Sequence, residues 1–378
     1  MKYKLLKDVC NINMGQSPDS NSYNENGDGV PFFQGNADFG ERYPVVKKWC
    51  NAPTKMAAPE DILISVRAPI GAVNYAKEDC CIGRGLAAIT PDKTKVSPEF
   101  IFWLLRGKKD ELNDKGTGST FKAIGRTVLE EILIPDIEIE KQIESAAILE
   151  KIYSVMQAKH QEISKLDNLV KARFVEMFGL PGTDKFGWGM VSLGSVCDIN
   201  PKKSHDNRLC SGLEVSFVPM PAVTESGKID ATAIKQFDEV KTGFTYFAEN
   251  DVLFAKITPC MENGKGAVAK GLHNGIGFGS TEFHVIRPIL DKTNPYWIYT
   301  LMAFPQFRVD AANNMTGSAG QRRVPASFLE DYCVAVPPID LQNRFATFVE
   351  QVDKSQFDKH DNIFTRGKTH LKTATSRN

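Results

Sequence analysis

The chain has 378 residues, of which 42% are hydrophobic and 24% are charged, the proportions of an ordinary globular protein. Its 46 Lys and Arg residues balance 46 Asp and Glu residues, so the formal net charge is zero. This balance excludes the global basic field of histone-like binders, and any contact with nucleic acid must come from local basic patches.

The sequence predicts neither a membrane segment nor a metal site. It contains no apolar run of about 18 residues, and its first residues lack the apolar region and cleavage site of a signal peptide. The eight cysteines include no CxxC pair, and the six histidines are scattered. We therefore expect a cytoplasmic protein with reduced thiols and no bound metal.

The first segment, residues 1–136, is turn-rich and predicts an α+β domain. Short runs typical of strands lie at Ile62–Val66, Gly85–Thr90 and Glu131–Pro135. The stretch Pro98–Leu112 predicts a helix with Ser97 as its N-cap, because a proline follows at the first helical position. Strands and helices are mixed without a βαβ alternation, which favours α+β over a parallel α/β sheet.

The second segment, residues 137–180, predicts one long amphipathic helix. Positions 138–178 contain no Gly and no Pro, and apolar residues recur at spacings of three or four. The apolar positions expected to serve as a spacer and docking face are Ile143, Ile152, Met156, Ile163, Leu166 and Val170. Such a helix extends about 60 Å at 1.5 Å per residue, which is longer than a domain of this size needs. We interpret it as a spacer that ends at Gly179.

The third segment, residues 181–338, repeats the first. Segments return in the same order: KLLKDVCNIN as SLGSVCDIN, EDILISVRAPIGAV as NDVLFAKITPCMENGKGAV, SPEFIFWLL as NPYWIYTLM, KGTGST as NMTGSA, and ILIPDIEIEKQI as VAVPPIDLQNRF. A repeat this long indicates a duplicated domain and not a solenoid unit. Two similar but non-identical domains suggest a protein that recognises two similar but non-identical things.

The fourth segment, residues 339–378, predicts a second, shorter helix. Its apolar residues Phe345, Phe348 and Val352 are suited to antiparallel pairing with Ile139, Ile143 and Ile152 of the long helix. Beyond Lys359 the apolar pattern decays into a polar, basic tail.

No catalytic motif in the sequence meets its structural requirements. NPYW lacks one proline of the Asn-Pro-Pro-aromatic signature of amino-methyltransferases, and no helical pattern follows the glycines of GIGFGS. GKT at Gly367–Thr369 lacks the upstream glycine of a P-loop. Acidic residues at the start of the long helix fit the helix dipole better than a nuclease site. We therefore expect a non-catalytic chain.

The chain resembles the DNA specificity subunits of type I restriction-modification systems. The resemblance covers essentially the whole chain and is carried by KLLKDVCNINMGQSP, DILISVRAPIGAV, GTGSTFKAI, ILIPDIEIEKQI and FVEMFGLPGTDKFGWGMVSLGSVCDI, answered by MTGSAGQRRV and VPPIDLQNRF. It implies two tandem target recognition domains that each read half of a bipartite DNA site. Long antiparallel coiled-coil-like helices would separate them and act as a ruler.

The resemblance also implies partners. These are double-stranded DNA, two methyltransferase subunits docked on the spacer helices, and a restriction subunit with motor and nuclease activity that can join them. It implies no cofactor on this chain, since S-adenosylmethionine belongs to the methyltransferase subunits. The shortened C-terminal helix departs from the full second helix of the family.

Local polar and basic segments are the candidates for DNA contact. Two Gly-flanked segments bring hydroxyls, cations and backbone N–H groups that suit phosphates: Lys115, Thr117, Ser119, Thr120, Lys122 and Arg126, and their counterparts Thr316, Ser318, Gln321, Arg322 and Arg323. The alternative for both is a solvated loop that caps the next helix.

Other cations and amides are candidates for base contact. Arg67 and Lys256, as rough repeat equivalents, and Arg84 in a Gly-Arg-Gly turn can bind guanine or phosphate, or form internal salt bridges. Gln34 and Asn36 can pair with adenine, or form hydrogen bonds within their turn.

Two other functions remain compatible with the sequence. One is a fused or degenerate restriction-methylation enzyme, which methyl transfer by the purified chain would reveal. The other is a coiled-coil adapter without DNA binding, which a gel shift with the methyltransferase subunit present distinguishes from a DNA reader.

Overall fold

The computed structural model of the chain describes residues 2–118, 122–318 and 320–354. The chain divides into two compact units between Lys159 and His160. The boundary falls inside the long helix, so each unit contains one repeat and part of that helix. Our division into segments 1–136, 137–180, 181–338 and 339–378 stays a prediction.

The first unit contains short strands and helices. In chain order they are β1 Tyr3–Leu5, α1 Leu6–Val9, β2 Cys10–Met14, β3 Tyr23–Asn24, β4 Val30–Phe33, β5 Trp49–Cys50, β6 Met56–Ala57, β7 Ile62–Ser65, β8 Val73–Tyr75, β9 Cys80–Ile82, β10 Leu86–Pro91, α2 Pro98–Gly107, α3 Lys109–Asp114, α4 Arg126–Glu130 and β11 Leu133–Pro135. The long helix, α5, follows at Ile139–Phe178.

The predicted helix Pro98–Leu112 is two helices in the structure. Ser97 is the N-cap as predicted, since its Oγ accepts a hydrogen bond from Phe100 N at 3.3 Å. The chain leaves helical geometry at Lys108, where φ is −92° and ψ is 9°, and α3 begins at Lys109. Gly107 directly precedes this break, and glycine disfavours a helix interior. The apolar periodicity continues past it, which is why the sequence suggested one helix.

Two sheets form the body of the first unit. An antiparallel sheet has the strand order β2-β10-β7-β8, and a five-stranded sheet has the order β3-β5-β4-β9-β6, with β4 and β9 parallel. Strand β7 is buried on both faces: Ile62 and Ile64 belong to one core cluster, and Leu63 belongs to another. A strand buried on both sides reads as a continuous apolar run, which explains the sequence ILIS. Strands β1 and β11 form a separate antiparallel pair.

The second unit repeats this arrangement. In chain order its elements are β12 Met190–Ser192, β13 Cys197–Ile199, β14 Glu214–Val218, β15 Ile234–Gln236, α6 Phe237–Val240, β16 Thr245–Ala248, β17 Val252–Ala255, β18 Gly266–Val268, β19 Ile276–Gly279, β20 Phe283–Pro288, α7 Pro295–Met302, α8 Pro305–Asn313, α9 Ala326–Asp331 and β21 Cys333–Ala335. A helix over residues 339–354 follows, which we label α10.

The strand order confirms the predicted duplication. The sheet β13-β20-β17-β18 has the order of β2-β10-β7-β8, and β12-β21 corresponds to β1-β11. The first repeated cysteines, Cys10 and Cys197, are both buried, and burial raises the pKa of each thiol to about 12. Their burial makes them core residues, and thiols so hard to ionise are poor nucleophiles. The second sheet of this unit has the order β15-β14-β19-β16.

Each unit holds its own part of α5. In the first unit Gln142 and Ala146 are buried, and the ring of Tyr153 packs on Trp103 at 5.4 Å. This orientation leaves Ile143, Ile152 and Met156 about half exposed, at 53%, 52% and 53%.

In the second unit α5 packs on α10. Phe174 and Phe178 contact Phe345, with ring centroids 5.6 and 5.3 Å apart. The remaining predicted spacer residues, Ile163, Leu166, Val170 and Phe348, are half-buried, and Val352 is buried. The helix ends at Gly179 as predicted, with a φ of 84°. The predicted polar tail, from residue 355 onward, lies outside the described residues. Among the residues the structure describes, no helix is both long and apolar enough to span a bilayer.

Candidate nucleic-acid interface

Gln34 and Arg84 lie next to each other in the first unit, where the parallel strands β4 and β9 end. The N–H of Gly85 donates to Gln34 O at 3.1 Å. A Cβ at Gly85 would lie 2.4 Å from that oxygen, so glycine permits this close approach. Both side chains are exposed, and neither makes a hydrogen bond within the described chain; the half-buried Asn36 side chain makes none there either. An amide and a guanidinium placed side by side can bind the edges of adenine and guanine.

Arg67 lies on a loop beside this pair, and Lys122 lies on the segment that is hydrogen-bonded to this loop. We call residues 67–71 the proline loop of the first unit. Ala68 N–H donates to Lys122 O at 3.0 Å, and Arg67 forms an isolated β-bridge with Ala123. Both cations are exposed and have no ion-pair partner in the part of the chain that the structure describes. The loop therefore brings together two candidates that are far apart in the sequence.

The other candidates of this segment are partly engaged. Lys115 Nζ lies 2.9 Å from Glu111 Oε1, and Arg126 Nε lies 2.7 Å from Glu130 Oε1. Hydrogen bonds from Lys108 and then Lys115 lower the pKa of Glu111 to about 2. Because these pairs are exposed, they are weak and phosphates can compete for the cations. The exposed Thr117 bonds backbone to backbone with Ala123, while Ser119 and Thr120 lie outside the described residues.

The counterpart segment in the second unit is arranged similarly, but its arginines are committed internally. Arg322 Nη2 donates to Ala312 O at 2.9 Å and to Met315 O at 3.2 Å. Arg323 holds Glu282 through two nitrogens, at 2.9 and 2.8 Å. Arg323 is therefore held in an internal salt bridge, which neither the predicted DNA contact nor its solvated-loop alternative anticipated. The side chains of Thr316, Ser318 and Gln321 are exposed.

The structure shifts the expected correspondence of Arg67 and Lys256 by one residue. Lys256 takes the place of Val66. The N–H of each residue donates to the neighbouring strand segment, and the carbonyl of each accepts from the segment after Thr-Gly-Ser. All four hydrogen bonds are 2.9 Å long. The next residue in each unit, Arg67 or Ile257, forms the isolated β-bridge with that segment. The insertion after the second copy of the strand concealed this register in the sequence. We call residues 257–264 the proline loop of the second unit.

Lys109 is a candidate that the sequence reasoning missed. A Cβ on Gly71 of the first proline loop would lie 2.9 Å from the Cα of Lys109. Lys109 is exposed and has no ion-pair partner in the described residues. The only sequence signal is the Lys-Lys pair at positions 108 and 109, which looked like an ordinary helix surface.

A buried histidine is hydrogen-bonded to the segment that lies against the second proline loop. His284 Nε2 donates to Val324 O at 2.8 Å, because a carbonyl can only accept, and Asn200 Nδ2 then donates to His284 Nδ1 at 3.0 Å. The imidazole is thus satisfied in its neutral form. Burial lowers its pKa below the usual 6.5.

A cleft of about 510 Å³ lies in the second unit. Its wall includes Asp251 and Arg287, which pair at 2.7 Å. The hydrogen bonds to Asp251 raise the pKa of Arg287 above its usual value. Among the described residues, no three His, Cys, Asp or Glu side chains are grouped so that they could hold a metal ion. The pair therefore reads as a structural one.

Comparison with known proteins gives consistent matches in sequence and in fold. A family model described as the type I restriction modification DNA specificity domain matches residues 1–168 and 186–363. The chain is 40% identical over 192 residues to the type I restriction enzyme EcoEI specificity subunit of Escherichia coli, covering 47% of this chain and 31% of that protein. It is 46% identical over 160 residues to the putative type I restriction enzyme MjaX specificity subunit of Methanocaldococcus jannaschii, covering 42% and 38%.

In these two alignments this chain therefore spans only about a third of the relative's length, 31% and 38%. A crystal structure of the type I restriction-modification system S subunit from M. genitalium has a TM-score of 0.54 at 12% identity, covering 98% of this chain and 94% of that one. That likeness concerns the fold alone.

Proposed function

Since the chain belongs to the family defined by the type I restriction modification DNA specificity domain, we propose that it is the DNA-reading subunit of such a system. Each unit would read one half of a bipartite duplex site. The chain itself would make no covalent bond, and the methyltransferase subunits would supply S-adenosylmethionine. We also propose that it works in the cytoplasm, and that a restriction subunit can join the complex.

The observation that carries this proposal is the duplicated edge with unequal side chains. In each unit the proline loop lies against the segment that follows Thr-Gly-Ser, joined by the same backbone hydrogen bonds. The backbone is alike in the two units, while the side chains at equivalent positions differ, as those of Val66 and Lys256 do. Base contacts come from side chains, so two copies with different side chains are suited to different half-sites.

We assign the spacing of the half-sites to α5, paired with α10. The exposed apolar residues Ile152 and Met156 lie about one turn apart on one face of α5. They support a role as a docking face for two methyltransferase subunits, because adjacent exposed apolar side chains favour a protein partner. Ile143 is exposed on the opposite face of the helix. Antiparallel pairing of the two helices would make the spacer rigid enough to set one distance.

A helix insertion tests the spacer. Four residues inserted within 157–161 add about one turn, or about 5.4 Å, to α5. At about 3.4 Å per base pair this lengthens the unspecified gap by one to two base pairs and leaves both half-sites unchanged. The readout is methylation sequencing of a host that expresses the variant with its methyltransferase subunit.

The matched control inserts the same four residues at the exposed turn around Gly243, where open space surrounds the backbone. This variant should methylate sites with the original gap. Altered half-site bases with an unchanged gap in the α5 variant would contradict the spacer proposal.

A further inference from the structure

We infer that the two units make unequal numbers of contacts with the DNA backbone, which we call the unequal grip. The first unit supplies the phosphate contacts at the proline-loop surface, through Arg67, Lys109 and Lys122, and the second unit supplies few or none at the same place. The inference rests on the proposed function. It adds which unit provides the part of the affinity that does not depend on base sequence.

The first unit gathers three uncompensated cations around one loop. Arg67 and Lys122 are joined through the hydrogen bond from Ala68 N to Lys122 O at 3.0 Å. Lys109 lies against the other end of the loop, since a Cβ on Gly71 would meet its Cα at 2.9 Å and its Cγ at 3.3 Å. All three are exposed, and within the described chain none has an acidic partner. Three unpaired cations around a short loop form a site for phosphate oxygens.

The second unit replaces the first two cations. The residue at the position of Arg67 is Ile257, which forms the equivalent β-bridge. The residue at the position of Lys122 is Arg322, whose carbonyl accepts from Thr258 N at 3.0 Å, as that of Lys122 does from Ala68 N. The Arg322 guanidinium is turned inward, since its Nη2 donates to two backbone carbonyls. One cation has become apolar and the other is engaged with the protein.

The third cation is buried in the second unit. Arg308 lies at the place of Lys109, because each contacts the last glycine of its proline loop, Gly264 or Gly71. Arg308 is only 8% exposed and donates to Met261 O at 3.0 Å and to Gly264 O at 3.3 Å. Burial lowers its pKa to about 10. It holds the loop from inside and is not available to a phosphate.

A further pair neutralises the surface of the second unit. Glu282 takes the place of Gly85, and Arg323 takes the place of Ala123. Arg323 donates three hydrogen bonds to the Glu282 carboxylate. Hydrogen bonding from Arg323, and then the charges of Arg323 and nearby Lys256, lower the pKa of Glu282. A carboxylate that stays ionised offsets the cations beside it. The same backbone framework thus carries three exposed, unpaired cations in the first unit, whereas in the second unit Lys256 and Arg322 are half-buried and Arg323 is paired with Glu282.

The consequence is measurable as a salt dependence. Each phosphate contact contributes about 0.9 to the negative slope of log K against log salt. Removing three contacts from the first unit should therefore reduce the magnitude of this slope by about 2 to 3. Removing the same number of charges from the second unit should lower it by less than about 1.

The test compares two triple variants of the full-length chain. The first is Arg67→Gln, Lys109→Gln and Lys122→Gln. The matched second is Lys256→Gln, Lys265→Gln and Arg322→Gln. Lys265 directly follows the second proline loop, and its Nζ donates to Met220 O at 3.3 Å. Binding is measured by fluorescence anisotropy on a labelled duplex of about 30 base pairs and arbitrary sequence, between about 50 and 200 mM salt. Thermal melting checks that both variants fold.

A gain of function removes any ambiguity from misfolding. Ile257→Arg places a cation where the first unit has Arg67. In the otherwise unchanged chain it should increase the magnitude of the salt slope by about 1. Equal slope losses in the two triple variants, or no gain from Ile257→Arg, would overturn the unequal grip. A wild-type chain that binds no duplex at any salt concentration would instead overturn the proposed DNA-reading function.

Discussion

The start of α10 is joined to the start of α7 by one buried amide, and its removal should destabilise the second unit. Gln342 is 0% exposed. Its Oε1 accepts from Asn294 N at 2.9 Å, and its Nε2 donates to Lys292 O at 3.0 Å and Pro337 O at 2.8 Å. Gln342→Met keeps the length of the side chain and removes all three hydrogen bonds.

The expected cost follows from these contacts. A hydrogen bond contributes about 0.5–1.5 kcal/mol net, so the loss of three should cost about 2–4 kcal/mol. Gln142 is the repeat equivalent, but it makes only two such bonds, with Ser97 N and Ile137 O, both at 2.9 Å. Gln142→Met should therefore cost less, about 1–3 kcal/mol, and should act on the first unit.

Hydrogen–deuterium exchange measured by mass spectrometry can follow each unit separately. Gln342→Met should speed exchange of the α7 amides by roughly 30-fold or more, since about 1.4 kcal/mol corresponds to tenfold. It should leave the α2 amides unchanged. The control is Gln306→Met, because that exposed amide donates only to Asp310 within α8 and should cost less than about 0.5 kcal/mol. Equal acceleration by Gln342→Met and Gln306→Met would refute the reasoning.

The second unit should also be sensitive to acid and to loss of its buried ion pair. The pKa of His284 is lowered in the folded chain, so below about pH 6.5 the unfolded chain takes up a proton that the folded chain refuses. The stability of the second unit should therefore fall as the pH drops from about 7.5 to 5.5. Thermal melts of His284→Gln at these two pH values should show a smaller difference than those of the unchanged chain. The other charged groups that face the His284 ring are Lys256 and Glu282. Arg287→Ala leaves the Asp251 carboxyl, 1% exposed, without its cation and should cost about 3–5 kcal/mol in urea denaturation. Arg173→Ala, which breaks an exposed pair with Glu176, should cost under about 1 kcal/mol, and similar losses for the two arginine variants would contradict this explanation.

Features with a local signal were predictable from the sequence. The absence of Gly and Pro over residues 138–178 predicted the long helix α5. Ser97 before a proline predicted the N-cap hydrogen bond of α2. The doubly buried strand β7 was readable as an apolar run. The break at Lys108 also has a local signal, because Gly107 directly precedes it and glycine disfavours a helix interior. The apolar periodicity that continues past Gly107 hid this signal.

The order of the duplicated segments, and with it the two-unit architecture, was written in the sequence, because apolar spacing and turn residues act locally on the backbone. Whether a given cation faces solvent was decided only by the tertiary structure. Arg67 and Arg308 are the same kind of charge in a linear reading, yet one is exposed on a loop and the other lies among backbone carbonyls. The availability of a charge depends on the groups that distant segments bring next to it, and those neighbours exist only after the chain has folded.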